Sequence, residues 1–165
     1  MPETRRPPLQ LALLGLALAG SAAQAGALLD AVKTGNAAAV RALLREHPSP
    51  NEADADGTSA LHWAVHQDAR ETAAALIKAG AAVDAANRYG VRPSYLAAEN
   101  GSAPLMRALL DAGADARAVF AQGETVLMTA ARTGNVATIE ALVAAGADVN
   151  RSEEHTSELQ SQHDL

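Results

Sequence analysis

Gly57-Thr58-Ser59-Ala60-Leu61-His62-Trp63-Ala64 opens a pattern that runs on to Gly80-Ala81 and returns 33 residues later, and 33 after that. Gly57, Gly90 and Gly123 share the spacing, as do Ala64, Ala97 and Ala130. Leu76, Leu109 and Leu142 keep it, and so do Gly80, Gly113 and Gly146, and Ala81, Ala114 and Ala147. A fixed period of this length marks a solenoid made by stacking one small unit. The 165 residues give room for one such domain.

Composition agrees with thin helices. Hydrophobic residues make up 48% of the chain but aromatic residues only 2%, so a core of large rings is not expected. Much of the apolar content is alanine, the best helix former. The formal net charge of -6 lacks the basic surplus that nucleic acid or an anionic membrane would require. Cysteine is absent, which removes disulfides, thiolate metal sites and a cysteine nucleophile.

Within the second unit, Asp56-Gly57 signals a turn and Ser59 is a candidate N-cap. Leu61, Ala64 and Val65 give the first helix its apolar stripe. A second helix is expected over Glu71–Lys78, closed by Ala79-Gly80. The third unit repeats the scheme with Arg92-Pro93-Ser94-Tyr95-Leu96-Ala97-Ala98, a break at Gly101 and a helix from Leu105 to Leu110. The fourth has Gly123 to Ala131, then Gly134-Asn135, then a helix from Ile139 to Val143. Ahead of these, Leu28, Leu29, Val32, Val40, Leu43 and Leu44 recur at helical spacing in an incomplete first unit.

This pattern resembles ankyrin repeats: Gly-x-Thr-Pro-Leu-His-x-Ala-Ala, a central glycine, paired leucines, then Gly-Ala-Asp-Val-Asn, as at Gly146-Ala147-Asp148-Val149-Asn150. The resemblance covers Gly26 to Asn150. It implies an all-α solenoid of paired short helices with β-turn or hairpin loops, about four repeats. The units are residues 26–53 (an N-terminal cap repeat), 54–86, 87–119 and 120–150. Departures are local. Tyr95 and Met128 stand where His62 keeps the histidine, Arg92 and Ser94 replace Thr and Leu, and Asp68 replaces the mid-repeat glycine.

Both ends differ from this domain. Arg5-Arg6, an apolar run from Leu9 to Gly20 and Ala23-x-Ala25 form the three parts of a secretory signal. Cleavage after Ala25 would leave Gly26 first and no membrane segment in the mature form; an uncleaved anchor is the other reading. Pro7-Pro8 favour the general secretory route over the twin-arginine one. The alanine-rich style is bacterial and implies a periplasmic or secreted protein. Residues 151–165 are polar and leave the register. A disordered tail is one reading. The other is that Arg151-Ser-Glu-Glu-His-Thr-Ser-Glu-Leu-Gln-Ser resembles a translated sequencing adapter, so that the tail is artefactual and a C-terminal cap is missing. A solenoid needs a polar-faced end unit. The last helix of the fourth unit is therefore expected to expose apolar side chains around Ile139, Leu142 and Val143, and residues 26–165 alone are expected to be marginally stable or prone to self-association through that uncapped repeat.

Chemistry-bearing groups are sparse. His62 and His66 lie four apart, a zinc-compatible spacing, but the protease glutamate is replaced by Trp63 and no third ligand follows. Ser94 has no nucleophile elbow around it. Glu52, Asp54 and Asp56 do not match a calcium loop. Trp63 reads as a packing residue before it reads as a ligand contact. No cofactor is expected.

The resemblance places binding on a concave face made of turn tips and first-helix surfaces. Its positions are Ala55, Asp56, Thr58, His66 and Gln67; Arg88, Tyr89, Val91, Glu99 and Asn100; and Ala121, Gln122, Glu124, Arg132 and Thr133. Tyr89, Arg88 and Arg132 are the best anchors, because interfaces favour Tyr and Arg. The expected function is a non-enzymatic module binding another protein. The alternative is the accessory part of an enzyme whose catalytic region lies beyond Asn150.

Overall fold

A computed structural model of the chain describes residues 26–46, 49–120 and 123–151. The expected export signal, nearly all of the expected tail, and Ala121 and Gln122 lie outside the described residues. Among the described residues there are eight α-helices in four pairs: α1 (Ala27–Lys33) with α2 (Ala37–Glu46), α3 (Ala60–His66) with α4 (Arg70–Lys78), α5 (Pro93–Glu99) with α6 (Ala103–Asp111), and α7 (Val126–Thr133) with α8 (Val136–Ala144). Odd-numbered helices stack on one another as an inner layer, and even-numbered helices stack as an outer layer. The result is an all-α solenoid.

Three helix starts have a side-chain cap. Ser59 is extended at φ -80°, ψ 167° and caps α3, its hydroxyl accepting from the His62 backbone N–H. Thr125 caps α7 through the Met128 N–H, and Asn135 caps α8 through the Thr138 N–H. The second helices of the last three pairs begin earlier than the apolar pattern predicts, at Arg70, Ala103 and Val136. The first turns of α4 and α6 hold Arg70-Glu71-Thr72 and Pro104, which carry no apolar period. Proline is compatible with a first turn, whose N–H groups have no partner within the helix.

Two departures from the repeat pattern gain an explanation. Asp68 adopts φ 51° where glycine stands in the other units, a region few side chains accept. Its carboxylate compensates by accepting from Ser102 Oγ and pairing with Arg70 at 3.1 Å. Arg92 makes no cap for α5, as its replacement of threonine predicts, but its guanidinium pairs with Asp84 and donates to the Asp84 carbonyl at 3.0 Å.

The core is built of small and medium side chains in columns. Ala64, Ala97 and Ala130 are fully buried between inner helices, which lets them pack closely. Leu76, Leu109 and Leu142 are fully buried on the outer helices; burying a leucine is worth about 1.5–3 kcal/mol. Leu142 corrects the expectation that the fourth unit exposes it. It packs inward within its own helix pair, as Leu76 and Leu109 do, and needs no following unit. Ile139 is half-buried and Val143 is 44% exposed.

Ser94 sits in the column of Leu61 and Leu127, fully buried, and its hydroxyl has no hydrogen-bond partner. An unbonded buried hydroxyl is destabilising. Ser94→Ala should therefore raise stability by about 1 kcal/mol, read as a higher urea midpoint at unchanged slope; a lower midpoint would show that the hydroxyl has a partner.

Candidate functional site

His62 stands at the joint between the second and third units. Its Nε2 lies 3.0 Å from the Val91 carbonyl, which can only accept, so Nε2 carries the proton. Nδ1 is then the acceptor and takes the Ser59 backbone N–H at 3.1 Å and the Ser59 hydroxyl at 2.7 Å. Burial holds the ring below the ordinary histidine range, partly opposed by the Val91 carbonyl and by Asp56. Both ring nitrogens are committed to this joint, so the His62–His66 pair does not offer two free metal donors. Among the described residues no group of three or more metal-ligating side chains comes together.

At the next joint Tyr95 takes the register position of His62 and uses packing instead. Its ring meets Phe120 edge-on with centroids 4.6 Å apart. Burial, with Glu99 and Glu124 nearby, pushes the Tyr95 hydroxyl above its usual range.

A second set of bonds runs along the ends of the inner helices. Gln67 donates to the Lys33 carbonyl at 3.1 Å. Asn100 donates to the carbonyls of Val65 and His66 at 2.9 and 3.1 Å. Thr133 donates to the Ala98 carbonyl at 3.2 Å. These three residues are 33 apart, and each adds a bond to carbonyls at the end of the preceding inner helix, where those of Val65 and Ala98 also accept the backbone N–H groups of Asp68 and Gly101. Three of the residues expected to bind a partner thus also tie the stack together.

The turn tips behave alike. Arg88 donates from its backbone N–H to the Asp56 carbonyl at 2.7 Å and from its guanidinium to the Ala55 carbonyl at 2.7 Å. Thr58 accepts from the Asn87 side chain at 3.1 Å. The Asp56 carboxylate is held below its usual range by the Thr58 backbone N–H, 2.9 Å away. Val91 contributes only its backbone, through His62. Tyr89 is different: its ring is 66% exposed at the tip of the turn.

Across the four inner helices, Lys33, His66, Glu99 and Arg132 form one row at equal register. Lys33 pairs with Asp54 at 2.6 Å, and Arg132 pairs with Glu124, which also accepts from Thr129 Oγ1 at 2.9 Å. The Asp54 carboxylate is held below its usual range by Lys33 and then by the Trp63 indole N–H, 2.9 Å away. Trp63 is half-buried. Lys33 Nζ lies 5.3 Å from its ring centroid and His66 meets it edge-on at 6.2 Å.

Lys33, Asp54 and Trp63 therefore join the expected residues at one end of this surface. Counting back 33 from His66 reaches Lys33, so the register carried that signal. Trp63 packs on the core as expected while also facing the row.

The comparisons follow the same period. A family model described as "Ankyrin repeats (3 copies)" matches residues 11–87 and 76–153, most of the chain. No curated protein matches it.

Two outcomes check these assignments. Asn100→Ala should lower stability by about 1 kcal/mol, measured by urea unfolding; an unchanged midpoint would free Asn100 for partner contact alone. For His62 the folded value lies below the unfolded one near 6.5. Its contribution is therefore complete above that pH and is lost as pH falls toward the depressed value. The melting temperature should drop between pH 7.5 and 5.5, and His62→Gln should melt lower with a flatter slope across that window. Equal slopes would assign the pH dependence to other groups.

Proposed function

Because the chain belongs to the ankyrin repeat family, we propose that it is a non-catalytic module that holds a partner protein on the row Lys33–His66–Glu99–Arg132 and the adjoining turn tips. Ankyrin repeats are protein–protein interaction modules. The observation that carries the reading is the contrast along the turn tips and row. Most of the polar side chains there are tied into the stack, while Tyr89 and His66 are exposed beside the half-buried Trp63. A rigid scaffold with a few open aromatic side chains suits interface anchoring, because such groups add contact area at small entropic cost.

The chemistry of the described residues fits a binding role. The Ser94 hydroxyl is fully buried and so out of reach of a substrate. Both nitrogens of the buried His62 ring serve the joint. Among the described residues no helix is long and apolar enough to cross a membrane. The same reading takes residues 1–25 as an export leader cleaved before Gly26 and residues 26–150 as the repeat domain, placing the mature protein in a bacterial periplasm or outside the cell.

Tyr89→Ala tests the face, because that side chain stands largely exposed on it. It should weaken partner capture at least about tenfold, the size of a hot-spot loss, with an unchanged melting temperature. Arg107→Ala, on the outer helix α6, serves as the control and should retain capture. Equal capture by all three proteins would move the binding surface elsewhere. Mass spectrometry of the exported protein should find Gly26 first; a retained leader would refute cleavage.

A further inference from the structure

Asn100 is followed by glycine, and no other asparagine in the chain is. That pairing favours one reaction of the side-chain amide. The backbone nitrogen of the glycine attacks Asn Cγ and loses its proton, a five-membered imide ring closes, and the amide nitrogen leaves as ammonia. Water then opens the ring at either carbonyl, giving aspartate or isoaspartate. Glycine favours the attack because no side chain shields its nitrogen. Asn100 is exposed, so water reaches the site.

The stack demands both halves of the pair. Gly101 sits at φ 62°, where few side chains are accepted, and a Cβ there would meet Asn135 Cβ at 3.3 Å. Asn100 is needed for its Nδ2, which donates to the Val65 and His66 carbonyls at 2.9 and 3.1 Å. The folded joint also restrains the reaction it invites. The Gly101 N–H donates to the Ala98 carbonyl at 3.0 Å, and Asn100 ends α5 with helical φ -74° and ψ -11°. Ring closure has to break the Gly101 bond, rotate ψ and draw Nδ2 off its two carbonyls. All three changes require the end of α5 to come away from α3.

The product at this position also differs from the product elsewhere. Asn36, Asn51 and Asn135 act as acceptors through Oδ1, taking the backbone N–H groups of Ala39, Ala82 and Thr138. Asn87 accepts those of Tyr89 and Val91, and its Thr58 partner is a hydroxyl that can turn to donate. An aspartate can make the same bonds at these positions. At position 100 an ionised aspartate is acceptor-only and faces two carbonyls that also only accept. Isoaspartate further lengthens the backbone by one methylene where α5 ends.

We infer that Asn100-Gly101 is a deamidation site gated by opening of the joint between the second and third units, and that its product weakens that joint. Each opening gives the amide a chance to react, and the mark it leaves is covalent. The mark falls beside His66 and Glu99 of the inner row.

Peptide mapping by mass spectrometry, with an isoaspartyl methyltransferase assay, follows the site in the full chain in mildly alkaline buffer. Conversion at 100 should run at least about tenfold faster in urea than in the folded chain, because opening sets the folded rate. Asn100→Gln, whose ring closure is six-membered and slow, should lose the signal. Asn100→Asp should have a lower urea midpoint than Asn100→Ala, since alanine sets no charge against the carbonyls. If Asn100→Asp fails to fold, the two conversion rates of the unaltered chain decide. Equal rates in buffer and urea, faster conversion at another asparagine in urea, or a folded Asn100→Asp variant at least as stable as Asn100→Ala would each overturn the proposal.

Discussion

A short helix pair of this type has two broad faces and can bury only what lies between its own helices. The rest must be covered by the neighbouring pair. Everything else in the molecule follows from that constraint. Alanine columns at 64, 97 and 130 bring inner helices close, and leucine columns at 76, 109 and 142 fill the space inside each pair. The difference between the columns is physical. Leu142 is complete within its own pair, whereas Ala131 and Ile139 depend on a neighbour.

Polar groups make the stacking specific. His62 bridges two units through one imidazole whose tautomer is set by a carbonyl on one side and an amide on the other. Tyr95 and Phe120 hold the next joint by ring contact. Gln67, Asn100 and Thr133 close the ends of successive inner helices. The expected binding residues and the stacking bonds therefore overlap, and a side chain's register on the inner helices does not decide its role. The hydrogen-bond partner decides it: Asn100 is tied to two carbonyls, while the Tyr89 ring stands clear.

The 33-residue register made the solenoid, the helix pairs and the columns legible, because it fixes which positions are equivalent. It could not tell that Gln67, Asn100 and Thr133 donate across units, since that depends on side-chain reach. Counting from the second unit onward also left Lys33 out of the row it begins. Asp68 read as a lost glycine, yet its carboxylate makes the bonds that accompany a positive φ. The exposed apolar side of the fourth unit was legible in outline but misplaced at Leu142, because apolar pattern alone does not distinguish a side chain facing its own partner helix from one facing the next unit.

Hydrogen exchange of the full chain at low concentration tests the dependence on neighbours most directly. Helices α3 and α5, covered on both sides, should exchange slowest, and α7 and α8 distinctly faster, in the order that nearest-neighbour stacking requires. Equal protection of α5 and α8 would mean that the last pair is stable without a following neighbour, and would contradict the account.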